Sequence, residues 1–135
     1  MNIIFQNQYI TIYIDQDKSL INDVWQPTSA TMSITEFKEI LTTWRDCIVE
    51  QKLSKSLIDA RAMAFVVDPE TQGWIAENIN APARQAGLQK VATILPASIF
   101  EKVALEQTMS EFDETEGFQR KMFSDEKLAK EWLEL

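Results

Sequence analysis

Three charged side chains near the middle of the chain have the best spacing for chemistry, namely Asp59, Arg61 and Asp68. Asp59 and Arg61 are two residues apart at the end of an apolar run, so in extended backbone they point to one side. Such a pair can hold a carboxylate or phosphate in the planar guanidinium fork of Arg61. The alternative is structural: an ion pair that fastens a loop, with Asp68 capping a helix. We favour the structural alternative.

Two tryptophans extend this candidate ligand-binding set to Asp59, Arg61, Asp68, Trp74 and Trp25. Trp74 lies early in a predicted helix and could wall a pocket at the strand ends. A tryptophan more often belongs to the core, with its indole N–H directed to a partner. We therefore favour a core role for both, and keep open a pocket near Asp59, Arg61 and Trp74.

The amino-acid composition argues against other kinds of catalytic site. The chain has no histidine, which excludes Ser-His-Asp and Cys-His catalysis and removes the commonest transition-metal ligand. Its three glycines are isolated, so no phosphate-binding loop is present. We expect no catalytic residue, no metal site and no cofactor.

The net charge is −8, from 21 acidic and 13 basic residues. Because phosphate binding relies on clustered Lys and Arg, we expect no nucleic-acid partner. No apolar run approaches the ~20 residues that span a bilayer, so no membrane insertion is expected. With one cysteine, Cys47, and no recognisable leader segment, the sequence predicts a cytoplasmic protein.

The pattern over residues 56–96 predicts a strand, a helix and a second strand. Asp68-Pro69 is a helix start, and Gly87 is a helix stop. Pro82 is expected to bend or restart this helix after Asn80. The result is a βαβ unit, whose crossover is almost always right-handed.

The flanking segments complete one domain, residues 1–135. Alternation over 9–15 and 19–25 predicts an antiparallel hairpin, with Tyr9 and Tyr13 facing away from an isoleucine stripe. Those tyrosines are either a protein-contact face or covered by a helix. Further helices are predicted from Ser33, Ser98 and Ser124, and a last strand over 118–123. The expected fold is α/β, a mixed sheet of about five strands with about four helices.

Several short runs also match a known pattern: those at 58–61, 69–75, 86–88, 90–92, 123–126 and 132–133. In these runs and in the order of its elements, the chain resembles the STAS and SpoIIAA-like domain superfamily, and in particular an uncharacterised bacterial branch of it. The resemblance covers nearly the whole chain and implies a SpoIIAA-like, STAS-type fold.

That resemblance implies a regulatory role, because sporulation members of the family antagonise anti-sigma factors through a phosphorylatable Ser after a central strand. Here the matching segment, Asp59 to Val67, has no Ser or Thr. We therefore expect a non-enzymatic regulatory or protein-interaction domain without that switch. We expect its partner to be an unidentified protein, which includes a second copy of this chain in a homodimer. The alternative is a module that binds a small apolar molecule or lipid, as relatives with ligands between sheet and helices do.

Overall fold

The computed structural model describes residues 2–100 and 117–135. Their six strands form one mixed sheet, and the strands follow one another across it in chain order. These strands are β1 (Asn2–Gln6), β2 (Ile10–Asp15), β3 (Leu20–Trp25), β4 (Lys55–Asp59), β5 (Lys90–Ile94) and β6 (Gln119–Phe123). The pairs β1–β2 and β2–β3 are antiparallel, and the remaining three pairs are parallel.

The α/β class, the antiparallel hairpin and the parallel pairing within the βαβ unit are confirmed. The predicted strand count of about five is wrong, because β1 adds a sixth. Four of its five residues are exposed and only Phe5 is half-buried, so burial imposes no alternation that a sequence pattern could show. As an edge strand, β1 is held to β2 mainly by backbone pairing.

Helix α1 (Ile34–Gln51) connects β3 to β4 and begins with the predicted capping box. Ser33 Oγ accepts a hydrogen bond from the Glu36 amide at 3.1 Å. In return, Glu36 Oε1 accepts one from the Ser33 amide at 3.0 Å. These two bonds satisfy amides that lack helical partners, which fixes the start of the helix.

A second helical segment connects β4 to β5, and we call it the crossover helix. It consists of α2 (Pro69–Ile75), a π-helical turn (Ala76–Asn80) and α3 (Ala81–Gln85). The predicted start and stop are confirmed: Asp68 caps it through the Thr71 amide, and Gly87 follows it with a φ of 118°. Pro82 restarts the helix, as predicted, after a wider turn.

The remaining helical residues lie near the C-terminal half of the sheet. Residues 97–100 are helical, and the rest of the helix predicted to residue 110 lies outside the described residues. Helix α4 (Glu126–Trp132) follows β6 and is capped by Asp125. In the described part of the chain, no helix combines the length and apolar character needed to cross a membrane.

The sheet separates two hydrophobic cores. The large core lies under α1 and the crossover helix and includes Ile12, Ile21, Ile48 and Ile79. The small core lies under α4 and is formed by Leu20, Leu57, Ala92, Ile94, Phe123, Ala129 and Leu133. Neighbours along a strand thus point into different cores, as the two-residue period of a strand requires.

The structure decides between the two alternatives left open for Tyr9 and Tyr13, and it corrects the predicted direction of Tyr9. Tyr9 is buried in the large core, and its hydroxyl lies 3.4 Å from Glu36 Oε1 on α1, so α1 covers it. It immediately precedes β2, so the alternation of that strand does not set its direction. Tyr13 is half-buried rather than exposed.

Truncation of the small core should be costly. Because Ile94 is fully buried between β5 and α4, Ile94→Ala should lower the free energy of unfolding by about 2–5 kcal/mol in urea denaturation. Leu128→Ala is the control, because Leu128 on α4 is 52% exposed and should change stability by less than about 0.5 kcal/mol. Equal urea midpoints for Ile94→Ala and the parent would contradict this packing.

Candidate functional site

A cavity of about 260 Å³ lies in the large core, between the sheet and the two helices that cover it. Its floor comes from β2 to β6 and its roof from α1 and the crossover helix. Most of the lining is apolar or aromatic: Ile10, Trp25, Phe37, Ile40, Leu41, Trp44, Ile58, Met63, Ile75, Ile79, Leu88, Val91, Phe118 and Met122. The polar lining residues are Asp23, Asn80, Arg84, Thr93 and Arg120. Such a mainly apolar space with few polar groups is typical of small-molecule sites.

The width of the cavity depends on how the crossover helix is held. Pro82 has no N–H, so it cannot bond the carbonyl of Asn78 four residues earlier. Arg45 on α1 occupies that acceptor instead, its Nη1 lying 3.0 Å from the Asn78 oxygen. The bond ties α1 to the crossover helix at the π-helical turn, which sets the spacing of the roof.

The loop after β4 closes one end of the cavity. Met63 lines it, and the Phe65 ring packs against Phe37 with centroids 4.6 Å apart. The Ala64 amide donates to the buried Ser29 Oγ at 2.8 Å, which anchors the loop to the turn after β3. The loop thus covers the carboxyl ends of the strands, where ligands of parallel sheets usually gather.

Asp23 is the exceptional residue of the lining. It lies on β3 between Ile21 and Trp25 on the face of the large core, and only 3% of it is exposed. Trp25 Nε1 donates to its Oδ2 at 2.8 Å. Burial raises the pKa of Asp23 from 3.8 to about 7, although the nearby indole N–H groups of Trp25 and Trp44 favour its charged form.

Two polar atoms of this site have no hydrogen-bond partner: Asp23 Oδ1 and Trp44 Nε1. The Trp44 N–H is close enough to lower the pKa of Asp23, yet the two groups do not meet in hydrogen-bond geometry. Both residues line the cavity. Because both atoms are enclosed by protein and the Trp44 N–H favours the charged form of Asp23, the two groups are imperfect partners of each other inside the large core.

The β6 end of the cavity carries positive charge. Arg84 of α3 lies over the Phe118 ring, with its guanidinium carbon 4.1 Å from the ring centroid. Arg120 is exposed and follows Phe118 on the same face of the sheet. The cavity therefore runs from a buried acidic group toward two basic ones.

The structure separates the residues of the predicted ligand-binding set. Asp59 and Arg61 do form a pair, with Arg61 Nη2 2.6 Å from Asp59 Oδ2 and 3.9 Å from Glu126 Oε2 on α4. They lie at the small core, on the opposite side of the sheet from the cavity. Arg61 lowers the pKa of Asp59 by hydrogen bonding to its charged form.

The other three predicted residues lie on the side of the large core. Asp68 accepts a hydrogen bond from the Thr71 amide at 2.7 Å, which lowers its pKa and caps the crossover helix. Trp74 is half-buried, packs against the large core and has Lys38 Nζ 5.0 Å from its ring centroid. Of the five residues, only Trp25 belongs to the described lining of the cavity.

Sequence reasoning missed Asp23 and Trp44. A signal for Asp23 was present, because it occupies an inward position between Ile21 and Trp25 in an alternating strand. Trp44 lies within the apolar stripe of α1, so its place in the core hides the effect of its indole N–H on Asp23.

Asp23 is the one carboxyl in the described lining of the cavity. A carboxyl with a pKa near neutrality can transfer protons, but a reaction needs further groups in reach. Within residues 2–100 and 117–135, no group of three or more Cys, Asp or Glu side chains is placed to hold a metal ion. Cys47 lies outside the described lining, and burial raises the pKa of its thiol, which makes it a poorer nucleophile at neutral pH.

Comparisons with known proteins add no assignment. No protein-family model matches the chain, and no curated protein or solved structure matches it significantly.

Asp23 should make the protein less stable as the pH rises. Its pKa is higher in the folded state than in the unfolded chain, so stability is lost between about pH 4 and pH 7 as the buried carboxyl ionises. Asp23→Asn, which keeps an acceptor for Trp25, should remove this loss and be more stable than the parent by up to roughly 4 kcal/mol at about pH 8. Urea denaturation over this pH range measures both effects. Asp17→Asn, in an exposed turn, controls for the change of net charge. If the parent and Asp23→Asn lost stability equally between about pH 4 and pH 7, the raised pKa of Asp23 would be contradicted.

The Asp59–Arg61 pair should contribute modestly to stability, because Arg61 is 45% exposed and solvent screens the pair. We expect Asp59→Asn and Arg61→Met each to lower the free energy of unfolding by about 1 kcal/mol, with a coupling of about 0.5 kcal/mol. Because the pKa of Asp59 is lowered on folding, this contribution is present above about pH 4 and is lost in acid. A double-mutant cycle in urea tests this. Stabilised single variants without coupling would point to a ligand clamp at this strand end.

Proposed function

We propose that this chain is a non-enzymatic binding domain whose ligand is a small, largely apolar molecule held in the cavity. The observation that carries the proposal is the mainly apolar cavity of about 260 Å³ between the sheet and its two covering helices. A ligand that fills such a space removes apolar surface from water, which favours binding.

The volume of the cavity supports this proposal. Dry apolar cavities of roughly 150 Å³ take up benzene-sized molecules, and this one is about 260 Å³. Aromatic rings at one end offer flat surfaces to such a ligand, since Trp25 and Phe37 pack with centroids 5.8 Å apart. A lipid chain or a compact ring system are the occupants that this shape suits.

We also propose that the chain is a distant member of the STAS and SpoIIAA-like domains. The mixed sheet, antiparallel at its start and parallel afterwards, agrees with the architecture that the resemblance implies. The segment aligned with the family's phosphorylated site is a loop that lacks Ser and Thr. In this proposal, ligand occupancy takes the regulatory part that phosphorylation has in the sporulation members.

A protein-interaction role is the second candidate. The observation that favours it is the edge strand β1, on which Ile3 is 54% and Ile4 38% exposed. Exposed edge strands with apolar side chains are places where another chain can add a strand. Such a partner, including a second copy of this chain, is compatible with a ligand on the other side of the large core.

Ethylbenzene tests the cavity, because it fits the volume and has no polar group. We expect saturable binding in ligand-observed NMR titrations of the full chain. Ile58→Phe should weaken this binding at least about tenfold, since Ile58 forms part of the floor and a larger ring fills the space. Val66→Phe is the matched control, because Val66 is 87% exposed and should leave binding unchanged. Absence of any saturable binding to the folded parent would make the interaction role the better proposal.

A further inference from the structure

Arg120 is the one exposed residue in the described lining of the cavity. It lies on β6, at an edge of the sheet, whereas Trp25 and Ile10 at the far side of the floor are 4% and 1% exposed. A molecule held in the cavity therefore has one end among buried apolar side chains and the other end beside Arg120, in contact with solvent. We call the part of the cavity formed by Arg84, Phe118 and Arg120 its outer end.

The floor of the cavity keeps its acidic residue away from the outer end. One row of paired residues runs across the sheet from Asp23 on β3 through Ile58 and Thr93 to Met122 on β6. Three strand spacings, about 14 Å, therefore separate Asp23 from β6. A negatively charged group of a ligand would be costly to bury among the apolar side chains beside Asp23, and the outer end spares it that cost.

Positive charge is concentrated at the outer end. Arg84 lies over the Phe118 ring, with its guanidinium carbon 4.1 Å from the ring centroid. Arg120 follows Phe118 by two residues on the same face, so their Cα atoms are about 7 Å apart. Arg120 forms no ion pair with the carboxyl groups that the structure describes. A guanidinium binds a carboxylate through two parallel N–H donors, which makes Arg120 a suitable anchor for one.

We propose that the ligand is an amphipathic acid, with an apolar body in the cavity and a single carboxylate bound to Arg120. This inference rests on the proposed binding function and names the chemical class of its ligand, such as a fatty acid or an arylalkanoic acid. Arg84 adds positive charge at the same end. A carboxylate suits the site better than a phosphate, because the net charge of −8 repels a doubly charged group more strongly.

The neighbouring Lys121 provides a matched comparison on the same strand. Both residues are exposed and basic, but their side chains point to opposite faces of the sheet. Lys121 Nζ lies 5.5 Å from the ring centroid of Phe123, which belongs to the small core. Removing either charge changes the net charge equally, and only Arg120 borders the cavity.

Three probes that add one group to the end of ethylbenzene test the inference: hydrocinnamate, hydrocinnamyl alcohol and hydrocinnamylamine. At neutral pH these groups are negative, neutral and positive. Hydrocinnamate should bind about fivefold more tightly than the alcohol in NMR titrations of the full chain, the gain from one charge-assisted pair at a partly exposed site. The amine should bind most weakly. Raising NaCl from about 50 mM to about 500 mM should remove most of the advantage of hydrocinnamate, because salt screens exposed charges.

The variants identify the residue that holds the carboxylate. Arg120→Gln should lower the affinity for hydrocinnamate about fivefold, to that of the alcohol, and leave binding of the alcohol unchanged. Lys121→Gln is the control and should change neither affinity. Ile58→Phe should weaken binding of both probes, since both occupy the cavity. In the parent, the Arg120 Nε–H resonance should shift on addition of hydrocinnamate and not on addition of the alcohol.

The outcomes separate the two proposals. If hydrocinnamate binds no more tightly than the alcohol while ethylbenzene binds, recognition of a carboxylate is wrong and cavity binding stands. The inference is also overturned if the amine binds most tightly, or if Arg120→Gln and Lys121→Gln weaken hydrocinnamate equally. Hydrocinnamate binding that survives Ile58→Phe would be surface binding and would contradict it as well. If neither ethylbenzene nor any of the three probes binds the folded parent, the proposed function fails together with the inference.

Discussion

The parallel pairing of β3 with β4 is the constraint on which the rest of the structure depends. A parallel connection cannot be a tight turn, so the chain must cross over the sheet, and α1 is that crossover. Because β3 and β4 lie inside the sheet, both of their faces are covered: Ile21 points to the large core and Leu20 to the small one. Every later element is arranged around these two cores, including the helix pair that encloses the cavity.

Asp23 is the one ionisable group that this arrangement buries completely at the centre of the sheet, among the residues that the structure describes. In the register of the strands it lies beside Ile12 on β2 and Ile58 on β4, positions that packing alone would fill with aliphatic side chains. A hydrophobic residue there would avoid the cost of burying a carboxyl, but it would leave the Trp25 indole N–H without its acceptor. Asp23 is therefore tied to this position partly by Trp25, its neighbour two residues along the strand.

The sequence predicted those elements that local chemistry controls. The Ser33 capping box, the Asp68-Pro69 helix start and the stop at Gly87 each act within a few residues, so their patterns are readable. The cavity was not predictable, because it depends on how closely α1 approaches the crossover helix. Asp59 and Arg61 stood out through their spacing, but which side of the sheet they occupy depends on α4, which lies more than sixty residues later. The alternation of β3 placed Asp23 on the inward face, between Ile21 and Trp25. An acid within a strand is nevertheless interpreted as exposed until the neighbouring strands are known.

The π-helical turn before Pro82 amounts to one extra residue in an α-helix. Each residue advances an α-helix by about 100°, and the wider turn absorbs the advance of the extra residue, so later residues lie about 100° from where a regular helix of the same sequence would place them. Ile75 on one side of the turn and Arg84 on the other thereby line the same cavity. If the same residues wound as an ordinary α-helix, Arg84 would lie about 100° further around the helix, away from the cavity. The aromatic and aliphatic part of the lining and its basic end are thus kept in phase by the π-helical turn.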